Sequence, residues 1–265
     1  MYRTFYSLTS KPFKKSIETD QLFESTNFSE ASARLNYLKD SRGIATIVGE
    51  PGSGKTSTLR SFKNSLNPAR FKVVYYPLAT GSVTDFYRGL NIAIGNPPAH
   101  RKVNMFNQLQ NSISNLYHKK KITPVFILDE MQLAPNKFLN ELSILFNFSM
   151  DSENPLILIL SGLPHFMHKL SLNQNQSLYQ RIIMKYNFDP MSKDEVKDYV
   201  THQLKISGAN HDIFTASAIE AIATNSNGLP RIINNISRNA LILGFQLKAE
   251  TIDEEIIMKV VSGTL

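Results

Sequence analysis

A glycine-rich segment between an apolar run and a helical pattern restricts the fold of this chain more than any other feature. The segment Gly49-Glu-Pro-Gly-Ser-Gly-Lys55-Thr56 follows the apolar run Ile44–Val48 and precedes a helical pattern that continues to about Leu66. Glycines in such a segment let successive backbone N–H groups converge on one anion at the start of a helix. The pattern predicts a strand–loop–helix unit that binds phosphate, the alternative being a glycine-rich turn without a ligand.

The last residues of this loop indicate a nucleoside triphosphate and a magnesium ion. A lysine at the position of Lys55 reaches the β- and γ-phosphate oxygens, and a hydroxyl at the position of Thr56 coordinates Mg²⁺. We therefore expect ATP and Mg²⁺ as ligands. The candidate nucleotide-binding residues of the loop are Gly49, Glu50, Pro51, Gly52, Ser53, Gly54, Lys55, Thr56 and Ser57.

Four further apolar runs alternate with helical patterns along the chain. Strands that are separated by helices form parallel sheets with right-handed crossover connections. The sequence therefore predicts the α/β class, with a five-stranded parallel P-loop sheet and helices on both faces. The four runs are Val73–Leu78, Val125–Leu128, Leu156–Leu160 and Ile182–Phe188.

Helix-start signals indicate how the chain is divided. A short helix is expected over residues 29–40, Ser82 and Gly95 bound another, and Pro135 suits a first helical turn. After Pro190 the pattern contains only helices, with starts expected at Ser192, Thr215, Pro230 and Thr251. We predict an aromatic N-terminal arm (1–28) that packs over a core, an α/β nucleotide-binding domain (29–190) and a small helical lid domain (191–265).

Two adjacent acids follow the third apolar run. Asp129 and Glu130 come directly after Val125–Leu128, at the carboxyl edge of the predicted sheet, where ligands bind in such folds. Asp129 is expected to hold the magnesium shell, and Glu130 to orient and polarise an attacking water. Because a kinase transfers phosphate to a substrate hydroxyl, this second acid favours hydrolysis. The alternative interpretation of Glu130 is an ordinary surface acid.

Two arginines are candidates for contacts to the γ-phosphate. Arg181 follows a polar stretch and precedes the fifth predicted strand, whereas Arg231 lies at the start of a helix in the predicted lid domain. One could act on the nucleotide of a neighbouring subunit and the other on the nucleotide of its own chain. An arginine supplied by a neighbour can accelerate phosphoryl transfer by ~10³- to 10⁵-fold. Either arginine could instead be a salt-bridge partner.

The positive charge of the chain is concentrated in one stretch. The net charge is +7, from 29 basic and 22 acidic residues, but residues 49–123 alone contain eleven Lys and Arg against two acids, which is +9. A localised basic surface is typical of proteins that bind nucleic acids, although lysines in solvent would give the same count. The absence of cysteine excludes disulfides, thiol catalysis and zinc ribbons and suggests a cytoplasmic protein.

Seven short motifs, spread over nearly the whole chain, form one series. They are Lys11-Pro-Phe13, the segment from Gly43 to Thr56, Asp129-Glu130-Met-Gln-Leu133, Leu145-Phe-Asn-Phe148, Ser161-Gly-Leu-Pro164, Gln180-Arg181-Ile182 and Gly228-Leu-Pro-Arg231-Ile-Ile-Asn234. This series resembles the AAA+ ATPases, and within them the group of ExeA, TniB and TnsC. The resemblance implies an ATPase that assembles on double-stranded DNA in its ATP state, as a ring or helical filament. Such an ATPase presents target DNA to a transposase and works with a target-selection protein.

The resemblance also implies roles for individual residues. Gly49 to Thr56 match the Walker A loop, and Asp129 with Glu130 match Walker B. Arg181 corresponds to the arginine finger, Arg231 to sensor 2 and Ser161 to sensor 1, where many relatives have Asn. DNA contacts in the group come from the region after the second strand. The matching candidates are Thr84, Arg88, Arg101 and Lys102, which could equally belong to a solvated loop.

The same motifs are compatible with functions other than DNA transposition. One is a helicase-loader-like ATPase, or an ATPase of the ExeA secretion type, that remodels a partner protein. A second is a phosphate-loop kinase. Because the ExeA secretion ATPases continue into a membrane span and a wall-binding domain, and this sequence stops at Leu265 without either, we expect the transposition role over secretion.

Overall fold

Five parallel strands form one sheet within residues 2–14, 17–78, 82–97 and 99–263, the part of the chain that the computed structural model describes. The spatial order is β2-β3-β4-β1-β5, so every sequential connection is a crossover. All five predicted strands are confirmed, with ends that differ by no more than two residues. The strands are β1 Gly43–Gly49, β2 Phe71–Pro77, β3 Thr123–Asp129, β4 Ile157–Gly162 and β5 Ile182–Phe188.

The central strands are covered on both faces, which is why their sequences are almost continuously apolar. Every residue of β1 and β4 is buried. Ile47 and Ile159 belong to the core on one face of the sheet, and Val48 and Leu160 to the core on the other. The fold class predicted from the sequence, a parallel sheet with helices on both faces, is therefore confirmed.

The chain divides into two compact units. The α/β unit comprises residues 30–49 and 55–188, and the helical unit comprises the described residues of 1–29, 50–54 and 189–265. Among the described helices, none has the length and apolar character needed to cross a bilayer. The helices are α1 Tyr2–Phe5, α2 Thr26–Ser41, α3 Lys55–Ser65, α4 Val83–Ile94, α5 Lys102–Ser114, α6 Asn136–Leu145, α7 His165–Ser171, α8 Gln176–Gln180, α9 Lys193–Lys205, α10 Ala216–Ser226, α11 Pro230–Gln246 and α12 Glu254–Ser262. Single turns lie at Thr19–Gln21, Asn115–Lys119, Met131–Leu133, Ser149–Asp151 and Asn173–Asn175.

Several predicted helix boundaries are confirmed by their hydrogen bonds. The Ser82 hydroxyl accepts from the Asp85 N–H, and Gly95 ends α4 with a left-handed φ of 96°. Ser192 and Glu195 form the reciprocal capping box of α9. Thr215 caps α10, and Pro230 is the first residue of α11.

Two predicted helix starts are wrong, and in both cases contacts with distant segments explain the difference. The helix expected from residue 29 begins at Thr26, because the Thr26 N–H donates to Glu195 Oε1 at 2.9 Å. Thr251 does not cap α12, because Ile252 pairs as extended backbone with Phe214. The cap moves to Asp253, whose carboxylate accepts from the Ile256 N–H at 3.0 Å.

The first residues of the chain are part of the core of the helical unit. Tyr6 and Phe13 are buried there, and the Tyr6 hydroxyl donates to the Ala249 carbonyl at 3.0 Å. A methyl group on Gly244 would approach the same hydroxyl to 2.4 Å, so this contact requires a glycine. The prediction that the arm packs over a core is confirmed for Tyr6 and Phe13, whereas Phe5 is exposed.

Candidate nucleotide site

The glycine-rich loop has the backbone conformation of an anion-binding turn. It begins at Gly49, the last residue of β1, and ends at Lys55, the first residue of α3. Gly52 and Gly54 have φ angles of 88° and 108°, which residues with a side chain rarely adopt. A Cβ on Gly52 would lie 2.4 Å from the Arg231 Cβ. Both the φ angle and the close packing of Arg231 therefore require a glycine at residue 52.

The polar groups of the loop fit a phosphate ligand. The Lys55 ammonium group is buried and donates to the Gly49 carbonyl at 2.6 Å, which places it at the mouth of the loop. The Ser53 hydroxyl is buried and has no hydrogen-bond partner among the described residues. A buried hydroxyl without a partner is costly unless a ligand or water supplies one. Thr56 is exposed in the first turn of α3, where its hydroxyl can reach a metal ion, and Ser57 is half-buried beside it.

Asp129 is held by two hydrogen bonds at the end of β3. Its Oδ2 accepts from the Tyr75 hydroxyl at 3.0 Å, and its Oδ1 accepts from the Glu130 N–H at 3.0 Å. Burial of the phenol, the charge of Asp129, the hydrogen bond itself and the charge of Glu130 raise the pKa of Tyr75 to about 12. The phenol therefore remains a donor at neutral pH, and it keeps the carboxylate in one orientation.

Glu130 follows β3 and has a left-handed backbone conformation. Its φ and ψ are 59° and 34°, a conformation that is uncommon outside glycine and that occurs at functional sites. The Gln132 side-chain amide donates to Glu130 Oε2 at 2.7 Å, and its carbonyl oxygen accepts from the Leu163 N–H at 3.2 Å. Gln132 thus links the exposed Glu130 carboxylate to the backbone of Leu163, the residue that follows β4.

Ser161 lies near the end of β4, the strand between β1 and β3. Strand β4 is located between β3 and β1, with Ser161 level with Ile47 and Leu160 level with Leu128. The Ser161 hydroxyl is fully buried and has no hydrogen-bond partner within the described ranges. Because parallel strands end at the same edge, Gly49, Asp129 and Ser161 meet at the carboxyl edge of the sheet.

The two arginines lie in different units. Arg181 belongs to the α/β unit, where its Nη1 donates to the Ser143 carbonyl at 2.6 Å and its side chain borders a polar recess with Gln176, Ser177 and Gln180. It precedes β5, so it lies at the amino edge of the sheet, one strand length of ~20 Å from the edge that holds Asp129. Arg231 is the second residue of α11 and packs on Gly52 of the loop, to whose carbonyl its N–H donates at 3.3 Å.

The predicted DNA-binding residues are spread over two helices and differ in their partners. Thr84 and Arg88 lie on α4, and Arg88 forms an ion pair with Asp85 on the same helix. Lys102 begins α5 and pairs with Glu141 of α6 at 2.5 Å, with its ammonium 5.8 Å from the centre of the Tyr87 ring. Arg101 is exposed and has no ion pair in the described part of the chain. Of these three cations, Arg101 is therefore the one whose charge no acid offsets.

Three further site residues have no role that their sequence positions predict: Tyr75, Gln132 and Gly162. Tyr75 reaches Asp129 only because β2 and β3 pair in parallel with Pro77 level with Asp129. Gln132 lies inside the motif that follows Asp129, but its partners depend on the tertiary structure. Within the described residues there is no cluster of three or more His, Asp or Glu side chains that could bind a metal ion without other ligands.

Comparison with known proteins gives a family and a fold. Residues 38–170 match the family model described as AAA domain. General secretion pathway protein A of Aeromonas hydrophila is 32% identical over 253 residues, which cover 92% of this chain but 45% of that protein. This chain thus spans less than half the length of that relative.

Solved structures agree in fold at low sequence identity. The ORC2 protein of Aeropyrum pernix superimposes with a TM-score of 0.70 at 18% identity, covering 94% of this chain and 70% of that chain. Drosophila ORC bound to DNA superimposes with a TM-score of 0.69 at 15% identity, covering 99% of this chain and 65% of that chain. This likeness shows the AAA+ fold.

Proposed function

This chain belongs to the AAA domain family of P-loop ATPases, and from that premise we propose that it binds ATP with Mg²⁺ and hydrolyses the γ-phosphate. The observation that carries the proposal is the meeting of Gly49, Asp129 and Ser161 at one edge of the sheet. Glu130, beside Asp129, supplies the second acid that hydrolysis requires. A kinase does not need an acid at this position.

In the proposed reaction each residue has one role. The N–H groups of the loop and the Lys55 ammonium hold the β- and γ-phosphates, while Thr56 and Asp129 are the residues that would hold Mg²⁺. Mg²⁺, when bound, neutralises charge on the phosphate oxygens. Glu130 orients the attacking water and takes its proton, and Ser161 offers a hydroxyl to the same water or to the γ-phosphate.

We propose that Arg181 acts on the nucleotide of a neighbouring subunit. Its distance from the carboxyl edge of its own sheet supports this assignment, since a side chain cannot span the ~20 Å length of a strand. Hydrolysis then requires a homo-oligomer, such as a hexameric or heptameric ring or a helical filament. Arg231, which packs on Gly52, is the proposed sensor of ATP on the same chain.

The finer proposal is regulation of DNA transposition in the cytoplasm. The ATP-bound oligomer assembles on double-stranded DNA and, with a target-selection protein, presents that DNA to a transposase. The +9 stretch supports DNA contact, and so does the charge of Arg101, which has no ion pair within the described ranges. Drosophila ORC, whose structure is bound to DNA, has the same fold. Phosphate contacts of this kind do not depend on sequence, as loading onto arbitrary target DNA requires.

A second candidate function is remodelling of a partner protein in secretion. The identity of 32% with general secretion pathway protein A, over 92% of this chain, favours it. That function would retain ATP hydrolysis and assembly, but it would not require binding to duplex DNA.

Two measurements on the purified chain test these proposals. Magnesium-dependent release of phosphate from ATP should be fast in the wild type and fall to a low residual rate in Glu130→Gln, which should accumulate the ATP-bound oligomer. Electron microscopy with ATP and duplex DNA at low salt should then show an assembly on DNA. No phosphate release would contradict the ATPase proposal. Hydrolysis without assembly on DNA would contradict the transposition role and leave the secretion-type role.

A further inference from the structure

The side chain of Gln132 connects the end of β3 to the end of β4. Its Nε2 donates to Glu130 Oε2 at 2.7 Å, and its Oε1 accepts from the Leu163 N–H at 3.2 Å. A glutamine amide offers a donor and an acceptor at its two ends, so it can make both bonds at once. Gln132 lies in the single turn Met131–Leu133, directly after the left-handed Glu130.

Gly162 makes this connection possible. A Cβ on Gly162 would approach Gln132 Oε1 to 3.0 Å and the Gln132 backbone nitrogen to 3.3 Å. Gly162 is the last residue of β4 and follows Ser161. The turn that carries Gln132 therefore rests directly on the end of β4, and a side chain at residue 162 would push it away.

An exposed glutamate side chain ordinarily samples several rotamers, and ordering it has an entropic cost. Glu130 is exposed, yet one of its two carboxylate oxygens is occupied by the Gln132 amide. The other oxygen, Oε1, is left to accept the proton of a water. A general base that is held in the reactive orientation catalyses faster than a mobile one, because it spends less time in orientations that cannot activate water.

We propose that Gln132 is a positioning residue for ATP hydrolysis, which holds the Glu130 carboxylate in the orientation that activates water. This inference rests on the proposed ATPase function. The competing explanation is structural: the only role of Gln132 would be to tie its turn to the Leu163 N–H.

Two substitutions separate these explanations. Gln132→Met keeps the length of the side chain and removes both hydrogen bonds. Gln132→Glu keeps an acceptor for the Leu163 N–H but loses the donor to Glu130 and puts a second negative charge beside it. Gln246→Met is the matched control, because Gln246 is exposed at the end of α11 in the helical unit.

Steady-state hydrolysis, binding of a fluorescent ATP analogue and thermal melting are measured for each variant. We expect both Gln132 variants to lower kcat by up to about 100-fold, with unchanged affinity for the analogue and little change in Tm. In a Glu130→Gln background, Gln132→Met should cause no further loss. The control should behave as the wild type.

Three outcomes overturn the inference. Wild-type kcat in Gln132→Glu would assign Gln132 the structural role alone, and so would an equal loss of kcat and analogue affinity in both variants. A further loss from Gln132→Met in the Glu130→Gln background would show that Gln132 does not act through Glu130. All three presuppose an active wild type, so an inactive wild type would be recognised separately as failure of the proposed function.

Discussion

The hydroxyl of Tyr75 donates to Oδ2 of Asp129 at 3.0 Å, across the pair of parallel strands β2 and β3. Strand β2 is at the edge of the sheet, and it contributes this single side chain to the acid pair. Together with the bond from the Glu130 N–H, it holds the Asp129 carboxylate in one orientation at the end of β3.

Tyr75→Phe should weaken metal binding without unfolding the protein. The loss of one hydrogen bond to a charged carboxylate corresponds to about 1.5 kcal/mol or more, which is roughly tenfold in affinity. We expect the Mg²⁺ concentration for half-maximal ATP hydrolysis to rise by about that factor. Tyr37→Phe is the control, because Tyr37 is 67% exposed. An unchanged Mg²⁺ requirement would show that Asp129 does not depend on Tyr75.

Gly52→Ala should abolish tight nucleotide binding and lower Tm. An alanine at residue 52 would have to adopt a φ of 88°, and its methyl group would lie 2.4 Å from the Arg231 Cβ. Gly263→Ala isolates the backbone effect, because Gly263 has a φ of 69° and no described residue beyond its chain neighbours has an atom within 4 Å of the added Cβ. The control should lose ~1 kcal/mol or less. An equal loss of Tm in the two variants would contradict the packing of Arg231 on the loop.

Arg101→Ala should weaken DNA binding more than Lys102→Ala. Arg101 has no acidic partner among the described residues, whereas Lys102 is paired with Glu141. Removal of one phosphate contact lowers the slope of log K against log salt by about 0.9. Fluorescence anisotropy of a labelled duplex over a range of salt concentrations measures this slope. Lys197→Ala, on an exposed face of α9, should leave it unchanged. A slope unaltered by Arg101→Ala would remove Arg101 from the DNA contacts.

Mixing of two inactive variants should restore ATP hydrolysis if Arg181 acts between subunits. Arg181→Ala keeps an intact nucleotide loop, and Lys55→Ala keeps an intact Arg181. In a mixed oligomer, the Arg181→Ala subunit supplies the nucleotide site and the Lys55→Ala subunit supplies Arg181. The rate of phosphate release after mixing should exceed the sum of the separate rates. No recovery, in a mixture shown to co-assemble, would mean that Arg181 does not act across subunits.

Glu195 should make folding stability depend on acid pH. Burial raises the pKa of this carboxyl group, but hydrogen bonds from the backbones and side chains of Thr26 and Ser192 outweigh burial and hold the pKa below its ordinary value. A carboxyl group whose pKa is lower when folded stabilises the protein above its unfolded pKa, and this contribution is lost as the pH falls through the folded pKa. Thermal melting between pH 3 and pH 7 measures the effect. Glu195→Gln should melt at lower temperature near pH 7 and differ less from the wild type at acid pH, whereas exposed Glu250→Gln should match the wild type throughout.

Much of the fold was predictable because its signals are local in the sequence. The five strands are short apolar runs between helices, and the helix caps at Ser82 and Ser192 are patterns of four residues. Thr251 shows where such patterns fail. Its capping box reads like that of Ser192, but Ile252 pairs with Phe214, and the extended backbone there displaces the helix start to Asp253.

The sequence alone determined the strand–loop–helix unit around Lys55 and the acid pair at Asp129 and Glu130, since each consists of consecutive residues whose chemistry and spacing are visible in the chain. Only the tertiary structure decided that Tyr75 holds Asp129 and that Gln132 joins Glu130 to Leu163. It also decided that Glu141 neutralises Lys102, whereas Arg101 has no acidic partner among the residues that the structure describes. The reason is physical. Strand register and helix packing bring together residues that are separated in sequence, and no local pattern encodes those distances.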